Sequence, residues 1–147
     1  MTDRASDWRN HGVHVVPHDR LDSNTAQTPG MHRQSAVSGT IGATSIWAGT
    51  VTVEPGALTG PHHHGELESV IYVLEGRARM RWGDHLEYVA DAGPGDFIFV
   101  PPFVPHQEIN ADPSAPLRCV LARSGQEPIV VNLDIEAVEL PERVPPA

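Results

Sequence analysis

The sequence predicts an all-β fold, a sandwich or barrel built from short strands. Fourteen prolines and thirteen glycines divide the 147 residues into short pieces, so no long stretch keeps the period of about 3.6 residues that marks a helix. The runs between these turns are rich in Val, Ile, Thr and aromatic residues, which favour strands. One run, residues 70–74, is continuously apolar, which is typical of a strand buried on both faces.

Eight strands are predicted in the central part of the chain. They cover residues 45–53, 70–74, 77–82, 85–89, 97–100, 106–110, 117–122 and 128–133. Turn residues separate them, such as the Gly83-Asp84 pair, which is typical of a hairpin. In the third strand, Arg77, Arg79 and Arg81 alternate with apolar residues, so we expect this arginine row to face solvent. A row that binds carboxylates is the alternative.

The two ends of the chain differ from this central part. Residues 1–37 are polar and are predicted to form an N-terminal arm over the barrel or a partner chain, with residues 13–16 as a candidate edge strand. Residues 38–135 are predicted to form the barrel domain, and the proline-rich residues 136–147 a C-terminal tail. Because open sheet edges tend to be covered and two-fold dimers are the commonest oligomers, we expect a homodimer.

Length, charge and cysteine content limit the possible function. A chain of this length fits one domain with a proper core. A formal net charge of −9 disfavours nucleic acid and anionic membranes as partners. The single cysteine, Cys119, excludes an internal disulfide and is interpreted as a small buried apolar residue. Since no apolar stretch predicts a signal peptide or a membrane span, we expect a cytoplasmic protein.

A histidine-rich stretch carries the first candidate site. In an extended segment, alternation directs His62 and His64 to one face and His63 to the other. Glu66 and Glu68 continue the first face. Two imidazoles and a carboxylate on one side are suitable ligands for a divalent metal. For this stretch considered alone, a solvated surface turn without function is the alternative.

A second stretch contains spaced Gly, Pro, His and Asn residues, namely Gly95, Pro101, His106 and Asn110. The first stretch is likewise framed by glycines, in the series Gly56, His62, His64, Glu68 and Gly76. With these two motifs in this order, the chain resembles the cupin superfamily, of the single-domain cupin 2 or RmlC-like type. The chain departs from the family in two places: the spacing from Glu68 to Gly76 is longer by one residue, and Phe103 replaces a glycine. The resemblance covers residues 50–121.

The resemblance implies a double-stranded β-helix, or jelly-roll, barrel of the cupin type. It also implies one divalent transition metal per chain, Fe, Mn, Ni, Cu, Co or Zn, held by His62, His64, Glu68 and His106. The carboxylate among these ligands has alternatives. In a register counted from Gly76, Ser69 takes the place of Glu68, and Glu66 or a site of three histidines without a carboxylate are the other options.

The resemblance implies no particular reaction, because one fold hosts many functions. The ligand set leaves coordination positions open, which favours catalysis over a structural metal. We therefore expect a metal-dependent enzyme, such as a dioxygenase or an isomerase, acting on a small organic molecule in the barrel. A cupin that only binds or senses a small ligand is the alternative. The residues that carry out the reaction, the metal and the substrate are not specified by the sequence.

Further residues are predicted around the metal. Glu108 shares a face with His106, so it is predicted either to orient a metal ligand or to be exposed. Aromatic side chains are predicted to wall the pocket, which favours a partly apolar or aromatic substrate. These are Tyr72, Trp82, Phe97, Phe99 and Phe103.

Overall fold

The computed structural model describes residues 7–147, which form eleven strands and three short helical turns. The strands are β1 (Met31–Val37), β2 (Trp47–Val53), β3 (His62–His63), β4 (Ser69–Glu75), β5 (Ala78–Trp82), β6 (Tyr88–Ala92), β7 (Phe97–Val100), β8 (His106–Asn110), β9 (Leu117–Arg123), β10 (Val131–Asn132) and β11 (Glu142–Arg143). The helical turns are α1 (Trp8–His11) and two 3₁₀ turns, His18–Arg20 and Gly39–Ile41. In the part of the chain that the structure describes, no helix is long and apolar enough to cross a membrane.

The strands build two sheets that share one core. The first sheet has the order β1-β2-β9-β4-β7, and the second has the order β10-β3-β8-β5-β6-β11. Neighbouring strands run antiparallel, except for β11, which lies parallel to β6. Many neighbours in space are distant in sequence, as in a double-stranded β-helix. The predicted all-β jelly-roll barrel is thus confirmed.

The core lies between the two sheets because alternate side chains of each strand point inward. One apolar cluster joins residues of both sheets, including Val51, Val73, Met80 and Cys119. Burying each large apolar side chain of this kind contributes about 1.5–3 kcal/mol. Cys119 is therefore a buried apolar residue, as predicted, and burial raises the pKa of its thiol to about 12.

Strand β4 is buried on one face only, so the prediction that residues 70–74 are covered on both faces was wrong. Ile71 and Val73 point into the core, whereas Val70 and Leu74 on the other face are exposed. The continuous apolar run hides this alternation, since every position in it is apolar. The outer face of β4 consequently presents apolar side chains to solvent.

The arginine row of β5 lies on the outer face of the second sheet, and its members are held by specific partners. Arg79 forms two hydrogen bonds to the Asp91 carboxylate, at 2.7 and 3.0 Å, and Arg77 reaches the same group at 3.1 Å. The Arg79 guanidinium holds the pKa of Asp91 below its usual value. Arg81 donates to the carbonyl of Val138 at 2.7 Å. This last contact fastens the C-terminal segment to the sheet.

The N-terminal segment is not arranged as expected. Residues 13–16, the candidate edge strand, are not in a strand, and Val13 is almost fully exposed. Instead β1 forms the edge of the first sheet by pairing with β2. The first part of the predicted arm, residues 1–6, lies outside the described residues. The domain boundaries after residues 37 and 135 stay predictions.

Candidate metal centre

Three histidines converge inside the barrel. Strands β3 and β8 pair with His62 directly opposite His106, and His64 follows on the same face as His62. The ring centroids lie 4.4 Å apart for His62 and His106, 4.8 Å for His62 and His64, and 5.1 Å for His64 and His106. One nitrogen from each ring lies within 4.8 Å of the others. His63 points elsewhere, toward the ring of Phe103 at 5.9 Å.

Backbone carbonyls fix the orientation of all three rings. The carbonyls that face Nδ1 of His62, His64 and His106 belong to Gly60, Ile129 and Val104, at 2.8, 2.8 and 3.0 Å. Because a carbonyl oxygen can only accept, each Nδ1 carries the proton and each Nε2 keeps its lone pair. The three rings therefore present three Nε2 lone pairs as potential metal ligands.

The environment of these nitrogens fits a metal ion. Nε2 of His106 is buried and has no hydrogen-bond partner among the described residues. Such an orphaned polar atom is rare in a folded protein because its desolvation is uncompensated. Burial also lowers the pKa values of His64 and His106, so both imidazoles are neutral at neutral pH. Neutral imidazole is the form that binds a divalent metal.

Glu108 is the carboxylate that the fold brings to these histidines. It lies two residues after His106 on β8 and faces the same cavity. Its Oε2 atom is 3.7 Å from Nε2 of His62, and its side chain is only 21% exposed. Alternation along β8 accounts for this position, since residues two apart point to the same side.

Glu68 does not lie with the histidines, so its assignment as a metal ligand is corrected. Its side chain is exposed, and its backbone is tied to Ser124 by two hydrogen bonds, at 2.9 and 3.0 Å. The next residue, Ser69, is the one that points inward. Glu66 is exposed as well. The three-histidine alternative is the one that agrees with the structure.

A turn explains why alternation failed between His64 and Glu68. Gly65 adopts a positive φ of 60°, and the Leu67 amide donates to the carbonyl of His64 at 3.2 Å. The chain therefore reverses direction after His64 instead of continuing as a strand. Alternation holds only within one extended segment. The direction of the Glu68 side chain therefore follows from β4, which begins at the next residue, and not from the histidines.

The predicted aromatic wall is also corrected, because these side chains do not line the cavity. Phe97, Phe99 and Phe103 are 72%, 60% and 62% exposed. Tyr72 packs against Phe97 on the outer face, with ring centroids 4.7 Å apart. Trp82 is half-buried and packs against the apolar cluster, but it is not among the residues that line the cavity. Side chains alternate along β4 and β7, and in both strands the smaller aliphatic residues point inward and the aromatic residues outward.

Phe103 also departs from the cupin motif in a way that the backbone explains. It adopts a positive φ of 61°, the left-handed region that glycine enters most easily. Its amide donates to the carbonyl of Gly65 at 2.7 Å, which joins the turn before His106 to the turn after His64. The phenylalanine thus keeps the conformation that the glycine would provide.

The cavity has a polar mouth and an apolar inner end. The mouth contains His64, His106 and Glu108. The inner part is bordered by Arg33 and Glu108 on its way in from the mouth. Its apolar lining includes Met31, Val51, Val53, Met80, Leu117 and Cys119.

The sequence interpretation missed two arginines at this mouth, Arg33 and Arg123. Both occupy inward positions of alternating strands: Arg33 is in phase with the buried Met31, and Arg123 with the buried Cys119. A charged residue in phase with the apolar face of a strand was the available signal. Neither residue lies in one of the two cupin motifs.

Solved structures with the same fold include two enzymes at 25% sequence identity. The first is the polyketide cyclase RemF from Streptomyces resistomycificus, with a TM-score of 0.70 over 84% of this chain and 87% of that chain. The second is oxalate decarboxylase from Bacillus subtilis, with a TM-score of 0.60 over 73% of this chain and 28% of that chain, so this chain spans less than a third of its length. KdgF from Halomonas sp., at 19% identity and a TM-score of 0.63 over 78% of this chain and 96% of that chain, shows the fold alone.

A comparison with curated protein sequences finds no significant match. The model of one protein family, described as a cupin domain, does match the sequence over residues 49–123. This match covers more than half of the chain, and it contains His62, His64 and His106. With the jelly-roll topology and the converging histidines already described, it follows that the chain belongs to the cupin family.

Proposed function

We propose that this protein is a metal-dependent enzyme that moves a proton on a small organic substrate, as isomerases and cyclases do. The observation that carries the proposal is the position of Glu108, which lines the same cavity as His64 and His106 and lies 3.7 Å from His62. A carboxylate beside a metal site can act as a general base. The apolar side chains at the inner end of the cavity would pack against an apolar part of the substrate.

The histidines would hold the metal through Nε2 of His62, His64 and His106. A divalent ion bound there supplies a Lewis acid that polarises a carbonyl oxygen of the substrate. The carbonyls that accept from each Nδ1 keep the rings in place and make Nε2 the better ligand. Because none of the three ligands is negatively charged, the site favours an anionic substrate oxygen.

Glu108 would carry the proton. One carboxylate oxygen accepts a proton from the carbon next to the substrate carbonyl, so that the C–H bond breaks and its electron pair moves to the carbonyl oxygen as an enolate. The protonated Glu108 then returns the proton to a carbon of the substrate. No oxidant is consumed. The 3.7 Å between Glu108 and His62 places base and metal ligand close enough to act on neighbouring atoms of one molecule.

The similar structures support an enzyme rather than a protein that only binds a ligand. A polyketide cyclase and an oxalate decarboxylase share the fold at 25% identity, and both are enzymes. The dioxygenase expected from the sequence is the alternative reaction. It would use the same histidines but would not depend on proton transfer by Glu108, so a variant of Glu108 distinguishes the two.

The test is hydrogen exchange at carbon in the zinc-loaded protein. We expect ¹H NMR in D₂O to show deuterium incorporation next to the carbonyl group in at least one member of a panel of 2-oxo acids and 1,3-diketones. Glu108→Gln should lower this rate by about 10²–10⁴-fold, the usual contribution of a general base, while metal content stays unchanged. Glu68→Gln is the matched control and should exchange like the wild type, because Glu68 is exposed.

Two outcomes would contradict the proposal. The first is an exchange rate in Glu108→Gln equal to that of the wild type. The second is oxygen consumption by the iron-loaded protein that persists in Glu108→Gln, which would favour the dioxygenase. Binding of panel members without exchange or oxygen consumption would favour a ligand-binding cupin.

A further inference from the structure

Arg33 and Arg123 line the mouth of the cavity that contains His64 and His106. Arg33 lies on the inward face of β1 at the edge of the first sheet. Arg123 ends β9 on the same inward face, opposite Trp47 in the neighbouring strand, and its guanidinium stacks over the indole ring at 4.3 Å. Two positive side chains therefore face the candidate metal centre from the sheet on the other side of the barrel.

Both guanidinium groups are held by neutral groups. Nη1 of Arg33 donates to Oγ1 of Thr28 at 2.9 Å. Nε and Nη2 of Arg123 donate to the carbonyls of Gly125 and Gln126 at 3.2 and 3.3 Å. Neither arginine forms an ion pair with a carboxylate of the described residues. Glu108 lines the same cavity but forms no ion pair with either arginine. The contacts with neutral groups thus fix each guanidinium and leave some of its N–H donors free.

This absence of an ion pair is not due to a shortage of acidic residues. The chain has 19 acidic and 10 basic residues, and other arginines do form ion pairs. Arg79 pairs with Asp91, and Arg118 pairs with Glu75. Two unpaired positive charges in one half-buried cavity repel each other and lose hydration, so the arrangement costs free energy without an anion.

The properties of Arg123 agree with this. Burial lowers the pKa of its guanidinium, and the positive charge of Arg33 acts in the same direction. The two groups are therefore close enough to influence each other. A negatively charged ligand between them would remove this repulsion, and the planar guanidinium fork matches the two oxygens of a carboxylate.

The segment before β1 holds Arg33 in position. The side chain of Gln27 pairs with the backbone of Arg33 through two hydrogen bonds, of 2.7 and 2.8 Å. These bonds join the loop of Gln27 and Thr28 to β1 as an added strand would. The loop forms part of the cavity mouth, so Arg33 is preorganised there by contacts that need no ligand.

We propose that Arg33 and Arg123 bind the carboxylate group of the substrate, which is thus a small carboxylic acid with an apolar part that fits the inner barrel. The reaction at the other end of this substrate depends on the proposed function. Binding of its carboxylate depends only on the two arginines. Because the whole chain carries a net charge of −9, it does not attract anions at long range, so an anion would have to be recognised by these local contacts.

The test uses benzoate as the anionic probe and benzamide as its neutral counterpart, titrated by calorimetry into the metal-free protein. We expect benzoate to bind the wild type about tenfold or more tightly than benzamide, as charge-assisted hydrogen bonds would give. Arg33→Gln should weaken benzoate about tenfold and leave benzamide unchanged. Arg118→Gln, which removes an exposed arginine of β9, is the matched control and should bind benzoate like the wild type.

A second variant, Arg123→Gln, should weaken benzoate as well. Its folding is checked by circular dichroism because Arg123 also contacts Trp47. The proposal is overturned if benzoate binds no better than benzamide, if Arg33→Gln and Arg118→Gln bind it equally, or if no heat appears up to about 20 mM benzoate, where a ~1 mM site would be filled. These titrations need no metal, so they test the two arginines even if the protein proves not to bind a metal. Conversely, Arg33→Gln should keep full metal content.

Discussion

Nε2 of His62 lies 3.7 Å from Oε2 of Glu108 inside the barrel. The two residues come from strands that are far apart in sequence, and the pairing of His62 with His106 brings them together. A lone pair that can bind a metal thus faces a carboxylate that can accept a proton. This relationship motivates the proposed reaction.

The first prediction concerns the metal ligands. We expect the wild type to bind about one divalent ion per chain, and His62→Ala, His64→Ala and His106→Ala each to lose affinity by at least about 100-fold. Even the outer contacts of a metal site are worth ~10–100-fold, and removing a ligand should cost no less. Elemental analysis of the purified, folded variants at neutral pH measures this.

Three matched controls accompany these variants. His63→Ala, His85→Ala and Glu68→Ala should keep the metal, because none of these side chains belongs to the converging group. Full occupancy in His106→Ala, or metal loss in Glu68→Ala, would show that the ligand set is wrong.

The second prediction concerns the stability of the metal-free protein in mild acid. Burial lowers the pKa values of His64 and His106 below the ordinary 6.5. As the pH falls through about 6.5, the unfolded chain takes up protons before the folded protein does, so the free energy of unfolding decreases. Above this range the stability is fully present. Urea unfolding at pH 7.5 and 5.5 should therefore give a lower midpoint at the lower pH.

A histidine variant identifies the source of this dependence. His106→Gln should show a smaller difference between the two pH values than the wild type, whereas His85→Gln should not change it. A midpoint that rises on acidification would contradict the assignment of these buried imidazoles as neutral.

The third prediction assigns a structural role to Asn110 of the second motif. Its side-chain amide is buried and donates to the carbonyls of Val53, Glu54 and Ala115, at 3.2, 3.2 and 2.9 Å. Asn110→Ala leaves these carbonyls unpaired, so the free energy of unfolding should fall by roughly 2–4 kcal/mol. Urea denaturation measures the loss. The exposed Asn24→Ala serves as control, and an equally small effect in both would refute the role.

The fourth prediction is the homodimer expected from the sequence. The outer face of the first sheet exposes the aromatic rings of Phe97 and Phe99 on edge strand β7. Tyr72 of the neighbouring strand β4 lies beside them. An apolar aromatic patch on a sheet edge favours association with a second copy. Light scattering at micromolar concentration should give twice the chain mass of 15.9 kDa.

Two substitutions test where the copies meet. Phe97→Asp should give the mass of one chain, whereas Phe103→Asp, an equally exposed phenylalanine at the turn before β8, should remain dimeric. A wild-type mass of one chain would reject the dimer, and a dimer that survives Phe97→Asp would reject this face.

The strands and the shared face of His62 and His64 could be predicted from the sequence because they follow local rules. Turn residues mark the ends of the strands, and alternation fixes the shared side of His62 and His64. His106 was predicted only through its motif, since no local rule connects it with residues so far away in the chain. The pairing of β3 with β8 confirms that it joins them.

The position of the carboxylate, the cavity walls and the placement of the two arginines were decided by the tertiary structure. Because of the left-handed turn at Gly65, the side chain of Glu68 does not point to the same side as that of His64. Strand pairing places Glu108 beside His62 instead. Which face of a strand is inward depends on the sheet packed against it. The sequence of β7 alone therefore does not determine whether its aromatic residues point inward or outward. The same long-range packing brings Arg33 and Arg123 to one cavity from separate strands, because only contacts between distant segments define an interior.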